Sequence, residues 1–397
     1  MSIWNIVILT AMLQGFLLAL FLFVNKSGNT KANVFLALLV LLYSLDIGLE
    51  TLYASPQIAN YSYLIGLNDA FFFLYGPLLY LYAYFLTSLQ AVSIRQIFVH
   101  FLPFIFIVIA YTPMLYLQSS EFKLVSEGIL PLSTIFEPDF FLTADIRSYV
   151  ELASGFHQLI YFALTLFLLK RHANTIKETF SAIDRINLNW LRNLTLATGV
   201  IVAVDIFLYF AVKSEFMAFG NAVLTISILC AGLIYGIGYL GLRQPMIFSQ
   251  VSDLPFQVES VEAEKREKYY KSTLTDEQAE ENLARLLELM ETEKLYLEGE
   301  LKLSDVAENL GVSSNNLSQI INEKLGKNFY DFVNEYRVET AKTLLVNPKK
   351  QHLTLLAIAF ESGFNSKSSF NSVFKKQCGL TPTEYKKSVI ESETRTK

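Results

Sequence analysis

Cysteine is almost missing from this chain. Its 397 residues hold two, Cys230 in an apolar run and Cys378 near the C-terminus, which excludes a disulfide framework and a cysteine metal site. The four histidines, His100, His157, His172 and His352, are scattered. None of the patterns GxxxxGKS/T, HExxH, GxSxG or CxxC occurs, so no catalytic constellation, metal site or cofactor is implied. Charge is scarce as well: 17% of residues are charged and 52% are hydrophobic, too apolar a balance for an ordinary water-soluble protein. The formal net charge of −5 would repel nucleic acid if it were spread evenly, but it is not.

What the chain has in excess is long apolar runs. Ile3 to Val24 is a 22-residue run with no basic residue before it, unlike a cleavable signal peptide, so a retained span is expected. Further runs lie near Asn33 to Tyr53, Leu64 to Leu86, Ile97 to Leu117, Tyr149 to Leu169, Leu191 to Val212 and Phe219 to Leu242. Each is about long enough to cross roughly 30 Å of hydrocarbon as a helix, which makes seven expected spans. Gly76-Pro77 is expected to kink the third.

Basic residues fall in alternate connections. Lys26, Lys31, Arg95, Lys170, Arg171, Lys177, Arg185, Arg192 and Arg243 lie on one side and only Lys123, Arg147 and Lys213 on the other. That bias predicts an N-terminus outside and a C-terminus in the cytoplasm of a bacterial inner membrane. The longest outer connection, Gln118 to Ser148, carries five acidic residues and two prolines and reads as an ordered loop or short lid.

Ionisable residues inside spans are costly, so they point to function or to buried pairing. Asp46 and Glu50 share one helical face, and with His157 and Asp205 they fall in the outer half of the bilayer, as a candidate sensing pocket. Asp69 lies near a span end and is open to solvation, and Asp46, Glu50 and Asp205 also fit a reading as buried pairs or interface residues that set helix packing.

Gln244 to Lys271 is charged and proline-containing, hence a cytoplasmic connector. Thr275 and Gln278 have capping-box spacing, and Leu283, Leu286, Leu287 and Met290 form one stripe on the helix that follows. This helix is expected to pack on the C-terminal domain, with a dimerising or signal-transmitting coil as the other reading.

The last quarter contains two helix-turn-helix patterns. In LSDVAENLGVSSNNLSQIIN, Val306, Ala307 and Leu310 make an apolar face, Gly311 supplies the turn, and Ser313 or Ser314 caps a second helix buried through Leu317, Ile320 and Ile321. Ser314, Asn315, Asn316, Ser318, Gln319 and Asn322 are then expected to face outward, with the amides and hydroxyls that pair with base edges. The second unit repeats the plan through Ile358, Ala359, Gly363, Phe364, Phe370, Val373 and Phe374. Ser366, Lys367, Ser368, Ser369, Asn371 and Lys375 are expected to face DNA or its phosphates. From Arg337 to Lys397 there are eleven basic and five acidic residues, against five and ten from Arg285 to Tyr336, so phosphate attraction belongs to the second unit.

These residues resemble the two-unit DNA-binding domain of the AraC family of bacterial transcription regulators, above all from Ile358 to Tyr385. Members often carry an arginine where this chain has Ser372. The resemblance implies seven helices, a long one joining the units, for which Tyr330 to Leu345 fits.

The expected fold is all-α: a seven-transmembrane-helix bundle over residues 1–243, a connector over 244–274, and an AraC-type domain with its preceding helix over 275–397. Its helix-turn-helix units lie at about 303–323 and 355–377. The expected function is membrane-embedded, sequence-specific transcription regulation, with promoter DNA and membrane lipid as partners; a small-molecule or proton signal and a homodimer are left open. The rival readings are a receptor or transport-like protein with a protein-interaction tail, and a membrane enzyme.

Overall fold

The computed structural model describes residues 3–26, 28–53, 55–88, 93–126, 130, 140–243 and 274–395. Regular structure among them is helical. The extended pairing present is an isolated antiparallel bridge between Phe180 and Lys302. Two compact units form, one from Met1–Lys170 with Leu188–Leu254 and one from Arg171–Asn187 with Pro255–Lys397.

The first unit contains α1 (Ile3–Val24), α2 (Thr30–Tyr53), a 3-10 helix (Pro56–Leu64), α3 (Phe72–Thr87), α4 (Ile94–Val99), α5 (Leu102–Ala110), α6 (Thr112–Tyr116) and α7 (Ser120–Ser126). It continues with α8 (Phe140–Thr179), whose last turns join the second unit, then α9 (Asn189–Lys213) and α10 (Phe219–Arg243). Among the described residues, α1, α2, α8, α9 and α10 are long and apolar enough to cross a membrane.

The other two expected spans are shorter. α3 has 16 residues, about 24 Å of helix, because residues before Phe72 are spent on the 3-10 helix and on turns. Between α5 and α6 the helix is interrupted at Tyr111, ahead of Pro113, which has no N–H to extend the ladder. By contrast Pro77 does not end α3, which continues through Gly76-Pro77 to Thr87.

Packing leaves much apolar surface outside. On α2, Leu36, Val40 and Ile47 are buried, and α1 packs against α2 and α10. Yet Ile6, Leu13, Leu17 and Leu20 of α1 and Val200 and Phe207 of α9 are exposed, an excess of outward apolar side chains that a surface helix in water would not show. Of the acidic outer connection, residues 127–129 and 131–139 lie outside the described residues, as does the expected connector up to residue 273.

Among its described residues the second unit contains, after the end of α8, α11 (Asp276–Thr292), α12 (Leu303–Leu310), α13 (Ser314–Leu325), α14 (Phe329–Val346), α15 (Leu355–Glu361), α16 (Lys367–Cys378) and α17 (Pro382–Arg395). The capping box opens α11: Thr275 Oγ1 accepts from Gln278 N at 3.3 Å, and Thr275 N donates to Gln278 Oε1 at 3.1 Å. Leu286 and Met290 then enter one core with Val306, Ala307, Leu310, Leu317 and Ile321, so α11 packs on the first helix-turn-helix unit. A second core gathers Ile358, Ala359, Phe364, Phe370, Val373 and Phe374 around Val338, Ala341 and Leu345. The long helix α14 contributes to both cores and so fixes the two helix-turn-helix units to one rod.

Candidate nucleic-acid interface

In the first unit, α12 ends on Gly311 at φ 69°, and Val312 N returns to Ala307 O at 3.0 Å. Left-handed backbone favours glycine there, while Ala307, 2% exposed, lets the two helices cross closely. Ser313 is the N-cap of α13, its Oγ accepting from Asn316 N at 3.2 Å. Ser314, Asn315, Asn316, Gln319 and Asn322 are half-buried on the non-core side of α13. Gln319 Nε2 donates to the Glu323 carboxylate at 3.1 and 3.2 Å.

In the second unit, Phe364 N returns to Ala359 O at 2.9 Å, and Ser366 caps α16 by accepting from Ser369 N at 3.0 Å. Lys367, Ser368 and Lys375 are exposed, and Ser366 and Asn371 are half-buried. Gly363, at φ 88°, is held by contact as well as by torsion. A Cβ there would lie 2.4 Å from Tyr296 O, whereas one on Gly311 would meet nothing within 4 Å.

Two expected outward positions are not outward. Ser318 is 2% exposed and Ser369 8%. Ser369 is drawn in by its place in the first turn of α16, where its N–H is tied to the cap. Ser318 is covered by a segment that helical periodicity does not anticipate.

That segment is Arg171–Asn187, which belongs to the same compact unit as the C-terminal helices. Glu178 Oε2 accepts from Asn322 Nδ2 at 2.9 Å and from Ser318 Oγ at 3.4 Å. Asp184 Oδ2 accepts from Ser366 Oγ at 3.0 Å. Between them Ser181 pairs with Leu301 O through its N–H at 3.1 Å and its hydroxyl at 2.7 Å, and Ile183 packs against the second core.

Arg337 of α14, 1% exposed, anchors this arrangement. Its Nε donates to Tyr296 O at 2.7 Å, Nη1 to Ser181 O at 3.1 Å, and Nη2 to Ser181 Oγ at 3.0 Å and Glu298 O at 2.7 Å. Burial pulls the guanidinium down to about 10, which leaves it charged at neutral pH. A buried cation is tolerated because carbonyl and hydroxyl oxygens take up its donors. Neither Arg337 nor Ser181 stands out in the sequence, where the one sign is a basic residue at a core-facing position of the helix that joins the two helix-turn-helix units.

In the N-terminal compact unit, Asp46 and Glu50 are brought together by a third residue. Asn68 Nδ2 donates to Asp46 Oδ1 at 2.7 Å and to Glu50 Oε1 at 2.9 Å, and Tyr53 OH donates to Asn68 Oδ1 at 3.0 Å. Asp69 is not solvated: 5% exposed, it accepts from Tyr111 OH at 2.8 Å and lies 3.4 Å from Arg147 Nε. His157 sits instead among rings, 5.3 Å from Phe73 and 4.9 Å from Tyr161 between centroids, and its nitrogens have no hydrogen-bond partner among the described residues. Asp205 is exposed on α9. The four candidate pocket residues therefore do not form one hydrogen-bonded group.

Residues 306–388 match the model of a helix-turn-helix domain family, and the C-terminal part of this chain is an AraC-type helix-turn-helix domain. A protein of Staphylococcus aureus (strain COL), named an uncharacterized HTH-type transcriptional regulator, is 36% identical over 93 residues, which are 23% of this chain and 12% of that protein. One of Haemophilus influenzae with the same description is 33% identical over 87 residues, 22% of this chain and 28% of its own length. The chain thus aligns with only a small part of these relatives. No solved structure matches it.

Proposed function

Starting from a C-terminal AraC-type helix-turn-helix domain, we propose that this protein is a membrane-embedded, sequence-specific DNA-binding transcription regulator. The observation that carries the reading is the paired construction around α14. Two glycine-turned units each present a capped second helix, α13 with Asn315, Asn316 and Gln319 and α16 with Lys367, Ser368, Asn371 and Lys375. Amides and hydroxyls suit base edges, and exposed lysines suit phosphates. The relatives' description as transcriptional regulators supports the same reading.

Membrane embedding is supported by the five membrane-length apolar helices and by the exposed apolar side chains of α1 and α9. We place α3 and the α5–α6 pair within the bilayer as well, giving seven passes, with the N-terminus outside and the helix-turn-helix domain in the cytoplasm. The Asp46–Asn68–Glu50 group is the proposed element by which the bundle responds to a signal, a proton or a cationic or hydrogen-bonding ligand.

The test is DNA binding by the full chain reconstituted in lipid nanodiscs, with duplex from its own upstream region and a scrambled duplex of equal length. Tighter binding to the upstream duplex at moderate salt is expected. Equal affinity for both would remove the sequence-specific reading, and no binding at low salt would leave a protein-interaction tail.

A further inference from the structure

Residues 171–187 are the last turns of α8 and the link to α9, both membrane-length helices, yet they fold into the C-terminal unit and reach both second helices of its helix-turn-helix pairs. Two carboxylates make the outer contacts. Glu178 takes the Asn322 amide and the Ser318 hydroxyl on α13, and Asp184 takes the Ser366 hydroxyl at the N-terminus of α16. All three donors belong to the set assigned above to DNA.

A carboxylate oxygen and a phosphate oxygen ask for the same donors and carry the same sign of charge. While Glu178 and Asp184 hold Asn322, Ser318 and Ser366, those groups cannot serve an incoming duplex, and a phosphate approaching either helix meets a negative charge already in place. The N-terminus of α16 attracts anions, so Asp184 sits where a phosphate would otherwise be drawn.

The centre of the segment is held differently. Ser181 is 1% exposed and is tied to Arg337 and Leu301, whereas the contact between Asp184 and Ser366 is exposed. The carboxylate arms can leave without breaking the central anchor.

We propose that residues 171–187 are a built-in competitor for DNA: Glu178 and Asp184 occupy the DNA face of both helix-turn-helix units, and binding requires their release. The proposal rests on reading α13 and α16 as DNA-facing. Because both ends of the segment continue into membrane-length helices, a rearrangement of those helices would act directly on the competitor. The signal would then reach the DNA face without passing through the connector at residues 244–274.

The experiment compares wild type, Glu178→Gln, Asp184→Asn and the double variant, each as full chain in nanodiscs, for binding to a mixed-sequence duplex at low salt. Removing charge while keeping shape should tighten binding about tenfold in the double variant, with each single change giving part of it. Unchanged or weaker binding overturns the proposal, the latter assigning the segment to DNA contact itself. Hydrogen exchange of wild type gives a second readout. Saturating duplex should raise amide exchange over residues 183–187, where Asp184 lets go of α16, while Ser181 and α14 stay protected, and undiminished protection of residues 183–187 in the DNA complex overturns the proposal independently. If no form binds any duplex, the DNA-binding reading fails, which differs visibly from equal binding by all four.

Discussion

Arg337 and Ser181 are 156 positions apart, yet Nη2 of the arginine donates to the serine hydroxyl at 3.0 Å and Nη1 to its carbonyl at 3.1 Å. Ser181→Ala removes one acceptor of Nη2, which keeps Glu298 O, and the hydroxyl donor of Leu301 O, leaving part of a buried cation unmatched. The expected cost is about 1–3 kcal/mol, read as faster amide exchange across α14 in the full chain. Arg337→Lys should cost more, because three donors on one nitrogen cannot reproduce a planar fork that reaches Tyr296, Ser181 and Glu298 together. Exchange rates unaltered by either change would mean the segment is not a structural part of this unit.

The contrast between this pair and the helix-turn-helix units shows what a sequence discloses. Gly311 with Leu317, and Gly363 with Phe370, announce themselves because local periodicity and a left-handed turn are written within a few residues. The docking of residues 171–187 leaves no such trace, since its contacts mix backbone carbonyls with two surface-type carboxylates and its partners are distant. That is why Ser318, outward by helical periodicity, is buried. In the membrane-type unit the carboxylates Asp46 and Glu50 were visible by their cost in apolar runs, but Asn68, which ties them together, is an ordinary turn residue until the fold places it. The apolar runs at α3 and at α5–α6 were legible as apolar, and their lengths were not, because turns and Pro113 consume part of each.

The two turn glycines should respond differently to substitution. Gly311→Ala meets no neighbour and pays for left-handed backbone alone, about 1–2 kcal/mol. Gly363→Ala adds a Cβ against the Tyr296 carbonyl, a backbone atom that also accepts from Arg337. It should be the more damaging change by a clear margin, and the yield of folded chain and exchange across α15 and α16 report it. Equal effects would show that the Tyr296 turn yields freely.

Contacts on the two second helices should separate by type. Lys375→Ala is expected to weaken binding to all duplexes and to lower the salt slope by about one phosphate's share. Gln319→Ala should instead relax discrimination at one base pair, by roughly 1–3 kcal/mol, and free Glu323 from its present partner. Titrations against an operator and its single-base variants distinguish the two. A uniform loss from both would mean the face of α13 is wrongly assigned.

The charge bias of the connections gives an orientation that can be checked in cells. A reporter active only outside the cytoplasm should report when fused after Ser119 or Ser214 and stay silent after Ala173 or Lys397. Signal at Lys397 would sink the regulator reading, since DNA would be out of reach.

The last prediction concerns sensing by the Asp46–Asn68–Glu50 group. Asn68 spends its amide nitrogen on both carboxylates and its carbonyl on Tyr53, so the arrangement holds α2 to the turn before α3 through one side chain. A signal that changes the charge or partners of either carboxylate therefore changes how that turn is held. It shifts the bundle only if its affinity differs between two helix arrangements, because equal binding to both moves nothing. Asp46→Asn with Glu50→Gln removes the charges and keeps the shapes, so the bundle should still assemble while promoter output becomes fixed in one state. Output would be measured across external pH and a set of cationic and hydrogen-bonding compounds, at matched membrane levels, beside Asn68→Ala. The alanine variant leaves both carboxylates without their shared donor and should shift output away from wild type as the double variant does. Responses indistinguishable from wild type in both variants would make Asp46, Glu50 and Asn68 packing residues, with any signal entering the protein elsewhere.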